Sequence, residues 1–349
     1  MEEYSKIDGI VEKNVERFSV IKSVIDNVDL RDLGLSIYSA RYKRVKGVYC
    51  AVDGSKNVQN LGDAYLLVAK AVKVVGEVTS DKRIINRDPV FAVEIEDDYM
   101  GEDTVNYDSI RLMISLETRL IKECEDCDFV LLDGPIIDPP VIDDRGGKSS
   151  IPSLRELAET RARYIRELLE RGKIVIGVVK RFSERFLVSL LKEKGYLKDV
   201  EYKEKMVVDS LLSRFASDDI VGLGVVEWDK LNASVSEIDK LMKAYDVYKG
   251  VGGFRVSSIY VKASKLSVPS RVDIAYLSDY DVEKVLSILS TFASRDRAEV
   301  SILLVLADEL STVSNQDVAR FKDYYVQRMV ERLRDDVYLL SNFLLRKRI

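Results

Sequence analysis

Apolar residues recur along the chain with two different periods, and the changes of period mark out its elements. Near the start, Ile7, Ile10, Val15, Phe18, Ile21 and Ile25 follow mostly helical spacing, which predicts a helix over Glu2 to Val28. Val45 to Asp53 reads as a strand ending in Gly54-Ser55, Ala64 to Val75 as a second strand, and Pro89 to Ile95 as a third. The links between them are short, so an antiparallel meander is expected. Helical spacing returns from about Tyr107 to Cys124. Phe129 to Asp133 is a short buried strand broken by Gly134-Pro135, and a polar loop, Asp138 to Ser150, follows it. Ser153 and Glu156 form a capping-box pattern that opens a helix ending near Gly172. Ile174 to Val179 is a fifth strand, with Lys180 at its end.

The order is therefore three strands, helix, strand, helix, strand. That is the order of the ribonuclease H core, an α/β fold with a mixed five-stranded sheet and helices on its faces. Residues 182–278 are less regular and read as a middle insertion of short helices and strands. The C-terminal part is helical again, over Val282 to Phe292, Val300 to Val313, and Val318 to about Leu345. These divisions give an N-terminal helical extension (1–44), a ribonuclease-H-like catalytic domain (45–315) with its insertion at about 182–278, and a C-terminal helix (316–349).

Composition narrows the chemistry. Hydrophobic residues make up 46% of the chain and charged residues 32%, a globular balance with ample material for a core. No window approaches the roughly 18 uninterrupted apolar residues of a membrane span. The charged start Met1-Glu2-Glu3-Tyr4-Ser5-Lys6 lacks the apolar core of a signal peptide, so a cytoplasmic protein is expected. The net charge of −5 gives little steering toward nucleic acid, and such a partner would need a local basic groove. There is no His, which excludes Ser-His-Asp and Cys-His catalysis and His-based zinc sites. Carboxylates, Lys, Tyr and Cys remain for acid–base or metal work. Cys124 and Cys127 have the spacing of half a zinc site whose second half is missing. They read as small residues near a helix end, with a disulfide as the alternative.

Four carboxylates interrupt apolar stretches. Asp53 follows Cys50-Ala51-Val52, and Asp133 follows Val130-Leu131-Leu132; each ends an apolar strand and precedes Gly. Glu117 falls on the same helical stripe as Ile110, Met113, Ile114, Leu120, Ile121 and Cys124, so it points toward the sheet. A carboxylate there needs a metal ion or a basic partner. Asp308 follows Ile302 to Ala307, a run apolar nearly all round and expected to be buried. In a ribonuclease-H-like sheet the first and fourth strands are neighbours, so Asp53, Glu117, Asp133 and Asp308 should converge. Clustered carboxylates repel at short range unless divalent cations compensate them. Their hard oxygens suit manganese or magnesium, and two such ions about 4 Å apart can drive phosphodiester hydrolysis. Lys180 beside the cleft, and Arg145 and Lys148 in the Gly-containing loop, are the candidate contacts to a nucleic-acid backbone. The stripe Phe321, Tyr324, Tyr325, Met329, Leu333, Val337, Leu340 and Phe343 reads as core or dimer interface.

At these residues the chain resembles the archaeal NurA nuclease family. The matching stretches are Val52-Asp53-Gly54-Ser55, Glu117 within Ser-Leu-Glu-Thr-Arg-Leu, Leu132-Asp133-Gly134-Pro135-Ile136-Ile137, Ile176-Gly177-Val178-Val179-Lys180 and Leu306-Ala307-Asp308-Glu309-Leu310. The resemblance implies a manganese-dependent nuclease acting on single-stranded DNA and on 5′ ends. It also implies a homodimer that docks on the hexameric translocase HerA in DNA end resection, and the N-terminal helix is the candidate docking element. Metal ligands carried over are Asp53, Glu117 and Asp133. The family often has His before Glu-Leu, where this chain has Asp308, itself a competent ligand. The family's Tyr-Pro is Val300-Ser301 here, so a functional Tyr is expected to be lost. Two other readings stay open at this point: a non-catalytic NurA-like subunit that binds DNA or a partner, and another ribonuclease-H-like nuclease.

Overall fold

The computed structural model describes residues 2–41, 44–61, 64–97, 101–140, 142, 148, 150–182, 185–197, 203–215, 219–231, 236–293 and 300–332. After helix α1 (Glu2–Asp26) come β1 (Ser36–Ala40), β2 (Gly47–Asn60), β3 (Ala64–Val78), β4 (Lys82–Asn86) and β5 (Pro89–Asp97). Helix α2 (Glu102–Lys122), strand β6 (Phe129–Asp133), helix α3 (Leu154–Glu170) and strand β7 (Ile174–Val179) follow. β2 pairs antiparallel with β3, which pairs antiparallel with both β4 and β5, while β2, β6 and β7 run parallel to one another. The five expected strands are thus present, in the ribonuclease-H order with the first and fourth side by side, and the antiparallel meander is there.

The sheet continues past those five strands. Helices α4 (Phe186–Glu193) and α5 (Glu204–Ser213) come next, then β8 (Ile220–Glu227), α6 (Ser236–Gly252), β9 (Arg255–Lys262) and β10 (Ser270–Tyr276). β10 lies antiparallel to β7, then come β9, β8 and, at the edge, β1. Among the described residues the result is one ten-stranded mixed sheet rather than a five-stranded one. The segment expected as an insertion extends the sheet, and the N-terminal segment adds an edge strand.

Helices cover both faces because the central strands are apolar on both sides. On β2, Cys50 and Val52 pack with Leu67, Ala69, Val130 and Leu132 beneath α2, α3 and α6. Tyr49 and Ala51 point the other way, into a core with Val72, Val74, Leu131 and Ile176 under α7 (Val282–Thr291) and α8 (Ile302–Ser311). A third cluster joins the end of α1, through Ile21 and Ile25, to α4, α5, β8 and β9. The capping box at Ser153 and Glu156 forms as expected. α9 (Asn315–Arg332) packs Phe321 against Phe91 of β5, and the expected continuation through Leu333, Val337, Leu340 and Phe343 lies outside the described residues. Cys127 is bonded to Cys50, 77 positions away, and Cys124 is a free buried thiol. No helix among the described residues is long and apolar enough to cross a membrane.

Candidate metal centre

Asp53 and Asp133 come together because β2 and β6 run parallel in a fixed register. Val52 stands beside Leu132, so the next residue on each strand is a carboxylate. β6 stops at Asp133, where Gly134 turns the chain at φ +134° and donates its N–H to the Val178 carbonyl at 3.0 Å. That turn crosses directly over β7 at Gly177. A Cβ on Gly177 would lie 2.6 Å from the Gly134 carbonyl oxygen and 2.8 Å from the Ile136 nitrogen, so only glycine leaves room for it. Asp53, by contrast, does not end its strand as expected: β2 runs on through Gly54 to Asn60, paired throughout with β3.

The third carboxylate arrives from α8, which lies across this end of the sheet. Ser311, in the last turn of α8, donates its hydroxyl to Asp53 Oδ2 at 2.6 Å. Ser55 Oγ donates to the Ser311 carbonyl at 2.5 Å and accepts from Val313 N–H at 2.8 Å, which fastens the end of the helix to β2. Asp308 sits one turn back. One carboxylate oxygen from each of Asp53, Asp133 and Asp308 lies within 4.8 Å of the others. Asp308 is not buried as expected. α8 buries Leu303, Leu304, Ala307 and Ser311, and Asp308 falls beside that stripe on the rim, with its side chain 63% exposed.

Lys180, just past the end of β7, reaches into the group. Its Nζ is 2.6 Å from Asp133 Oδ2 and 3.5 Å from Asp308 Oδ2. Asp53 remains the most enclosed of the three, 8% exposed. Burial, and next the negative charge of Asp133, pushes its pKa up to about 7, against the pull of the Ser311 hydroxyl. The fold therefore holds Asp53 in a place that favours a compensating positive charge. Three converging hard oxygens, one of them this reluctant to ionise alone, fit a divalent cation of the manganese or magnesium type.

Glu117 is close by but outside that group of three. It reaches the sheet from the α2 side, over Gly54, where a Cβ would lie 2.7 Å from Glu117 Oε1. Its partner is a buried cation, Arg161 of α3, whose Nη1 is 3.2 Å from Glu117 Oε2. Burial pushes the Glu117 pKa up to about 8 and Arg161 opposes the rise. Of the two remedies open to a carboxylate on an apolar stripe, this one has the basic partner. Arg161 carries the same signal in the sequence, a charge among Leu154, Leu157, Ala158, Ala162, Ile165 and Leu168, and sequence reasoning passed over it. Ser311 carries no such signal.

The expected DNA contacts divide. Lys180 stands at the carboxylates. Lys148 instead ties its loop to β5 and α2. Its Nζ donates to Glu94 and to the Ile95 carbonyl, both at 2.8 Å, and its backbone N–H donates to Asp108. Arg145 lies outside the described residues. Val300, where the resemblance leads one to expect a Tyr, is buried in the core under α7 and α8.

A family model described as the NurA domain matches residues 47–313. The fold is similar to the crystal structure of the NurA nuclease from Sulfolobus solfataricus, with a TM-score of 0.63 at 16% identity, covering 97% of this chain and 98% of that one. A structure of NurA with manganese matches with a TM-score of 0.56 at 13% identity, covering 95% and 98% of the two chains. A structure of NurA bound to dAMP and manganese matches at 0.55 and 12%, covering 91% and 96%. At such identities the likeness is one of fold. No protein with a curated description matches the sequence.

Proposed function

The chain belongs to the NurA family, and from that membership and its acidic centre we propose that it is a manganese-dependent nuclease that hydrolyses DNA phosphodiesters. The observation that carries this proposal is the approach of Asp53, Asp133 and Asp308 oxygens to within 4.8 Å of one another. Similar folds have been solved with manganese and with dAMP and manganese, which supports both the ion and a nucleotide substrate.

Asp53, Asp133 and Asp308 would hold the cation. Bound there, it would lower the pKa of a water and offset charge on the phosphate. Ser311 fixes the orientation of Asp53 through its hydroxyl, and the Gly134 turn fixes Asp133. Lys180 balances part of the negative charge and presents an ammonium, about a third exposed, to an incoming phosphate. With no His in the chain, a carboxylate of this group is the candidate to take up a proton during the reaction. Glu117 completes the site from the α2 side, as a ligand or by its charge.

We read the substrate as single-stranded DNA and 5′ ends, and the partners as a second copy of the chain and a HerA-type hexameric ATPase. α1 supports a docking role: Tyr4, Ile7, Ile10, Val11 and Val15 are between 52% and 74% exposed, whereas Ile21 and Ile25 of the same helix are buried on the body of the protein. An apolar run that stays uncovered in one chain marks an interaction surface. Deletion of residues 2–16 should weaken co-purification with such an ATPase and leave cleavage by the isolated protein intact.

Incubation of labelled single-stranded DNA with the purified chain tests the activity. Cleavage with manganese and none in EDTA is expected. Cleavage in EDTA would contradict the metal mechanism. Failure to cut with any divalent ion would establish the non-catalytic reading, which the loss of a hydroxyl at Val300 favours.

A further inference from the structure

Behind the acidic centre, on the α2 side of the sheet, lies an ionic group that the chemistry above does not use. Arg161 is 2% exposed. Its Nη1 lies 3.2 Å from Glu117 Oε2 and 4.0 Å from Asp138 Oδ2, and its Nη2 donates to the Pro135 carbonyl oxygen at 3.5 Å. The Asp138 carbonyl oxygen accepts from the Tyr248 hydroxyl of α6 at 2.5 Å, so the same turn is held from two sides. Burial pushes up the pKa of Glu117 and of Asp138, and the guanidinium is the charge that keeps each acid lower.

The two acids lead to the two strands of the centre. Glu117 rests on Gly54, the neighbour of Asp53. Asp138 closes the turn that starts at Gly134, the neighbour of Asp133. One guanidinium therefore reaches the supports of both strand carboxylates, from the face of the sheet opposite Ser311 and α8. Its planar fork suits this arrangement, because separate N–H groups point at separate acceptors, whereas a lysine ammonium on a flexible stem would settle on one.

We propose that Arg161 is a positioning residue for the metal centre, fixing Glu117 against Gly54 and the Pro135–Asp138 turn behind Asp133, and so setting how the Asp53 and Asp133 carboxylates face each other. The proposal rests on the nuclease reading of that centre. Arg161 touches neither substrate nor cation. Its loss should fall on metal affinity, not on DNA affinity, as mutations of groups that orient metal ligands do.

Calorimetric titration of the full chain with manganese decides it, using Arg161→Met, Arg161→Lys, Asp138→Asn, Glu117→Gln and the double variant Arg161→Met/Glu117→Gln. Arg161→Met should bind manganese at least about tenfold more weakly, with Arg161→Lys between it and the wild type. Single-stranded DNA affinity in EDTA should stay within about twofold of wild type, since phosphate contacts carry it. The double variant should lose less manganese affinity than the product of the two single losses, because part of each loss comes from the one Arg161–Glu117 interaction. Wild-type affinity in Arg161→Met, or losses that multiply in the double variant, would overturn the proposal. If Arg161→Met does not fold, Asp138→Asn decides in its place: a severalfold weaker affinity supports the role and an unchanged one overturns it. A wild type that binds no manganese, or Asp53→Asn that binds it normally, would sink the nuclease reading itself and the role of Arg161 with it.

Discussion

Asp53 on β2 and Asp273 on β10 are both enclosed carboxylates within the same sheet, and their surroundings differ in kind. Asp273 is fully buried and fully matched: Arg271 donates to both of its oxygens, at 2.9 Å and 3.1 Å, and Ser258 donates to Oδ1 at 2.6 Å. Ser258 accepts in turn from the Trp228 indole, and the Arg271 guanidinium lies over the rings of Phe186 and Trp228. One negative charge meets one positive charge, and water is excluded. Asp53 instead shares its space with two further carboxylates, and the ammonium that approaches the group, Lys180, bonds Asp133 and nears Asp308. The group opens to solvent at Asp308. A closed, balanced network holds a fold together. An open group with an excess of negative charge at the end of two parallel strands could instead take a cation from solution.

Neutralising each acid in turn should separate the two. Asp53→Asn should lower DNA cleavage by at least roughly 100-fold, the lower end of what such groups contribute, while the metal-free melting temperature holds or rises as a repelling charge is removed. Asp273→Asn should do the reverse. It strands the Arg271 charge in the core, which costs about 3–5 kcal/mol in urea unfolding, and leaves cleavage per folded molecule unchanged at low temperature. Equal stability losses in the two variants would erase the distinction.

The response to pH should also set Asp53 apart. Its pKa in the folded chain, about 7, stands above its ordinary 3.8, so the fold prefers the protonated acid. The stability this gives the metal-free protein is complete below about pH 4 and is lost as pH rises through 7. Manganese must displace that proton, so its affinity should climb by up to about tenfold per unit between pH 5 and 7 and then level off. Thermal shifts with and without manganese across this range measure both trends. A metal-induced shift independent of pH would show that the ion binds away from Asp53.

The smallest effect belongs to Ser311→Ala. It removes one hydrogen bond worth about 1–1.5 kcal/mol to Asp53, so manganese affinity should drop by several fold and the pH midpoint of binding should move upward. An unchanged midpoint would mean that the Ser311 hydroxyl does not orient the ligand.

The part of this architecture that can be read from sequence is the part held together by local pattern. β6 and β7 are short apolar runs, α2 and α3 carry clear stripes, and Asp53 and Asp133 stand out because an acid follows apolar residues. The weak strand preference of Gly54-Ser55-Lys56-Asn57 places the end of the strand at Asp53. Those residues nevertheless stay extended because β3 pairs with them along their length, a tertiary effect. β9 and β10 are hidden for a related reason. Ser258, Lys262, Arg271 and Asp273 break the apolar pattern while being buried; Arg271 and Asp273 pair within β10, but Ser258 reaches Asp273 from β9, and Asp209 and Ser213 of α5 meet Lys262. The six apolar residues before Asp308 suggest a buried acid, yet a run without a period does not say which side of a helix faces the core. The Cys50–Cys127 pairing links residues 77 apart and has no local signature.

Anomalous diffraction at the manganese edge, from crystals soaked in the ion, shows whether the three aspartates hold a cation. An anomalous peak is expected between the carboxylates of Asp53, Asp133 and Asp308, with Lys180 Nζ displaced from Asp133. A peak elsewhere on the molecule, or none at these residues with the Lys180–Asp133 pair intact, would contradict a metal centre at this end of the sheet.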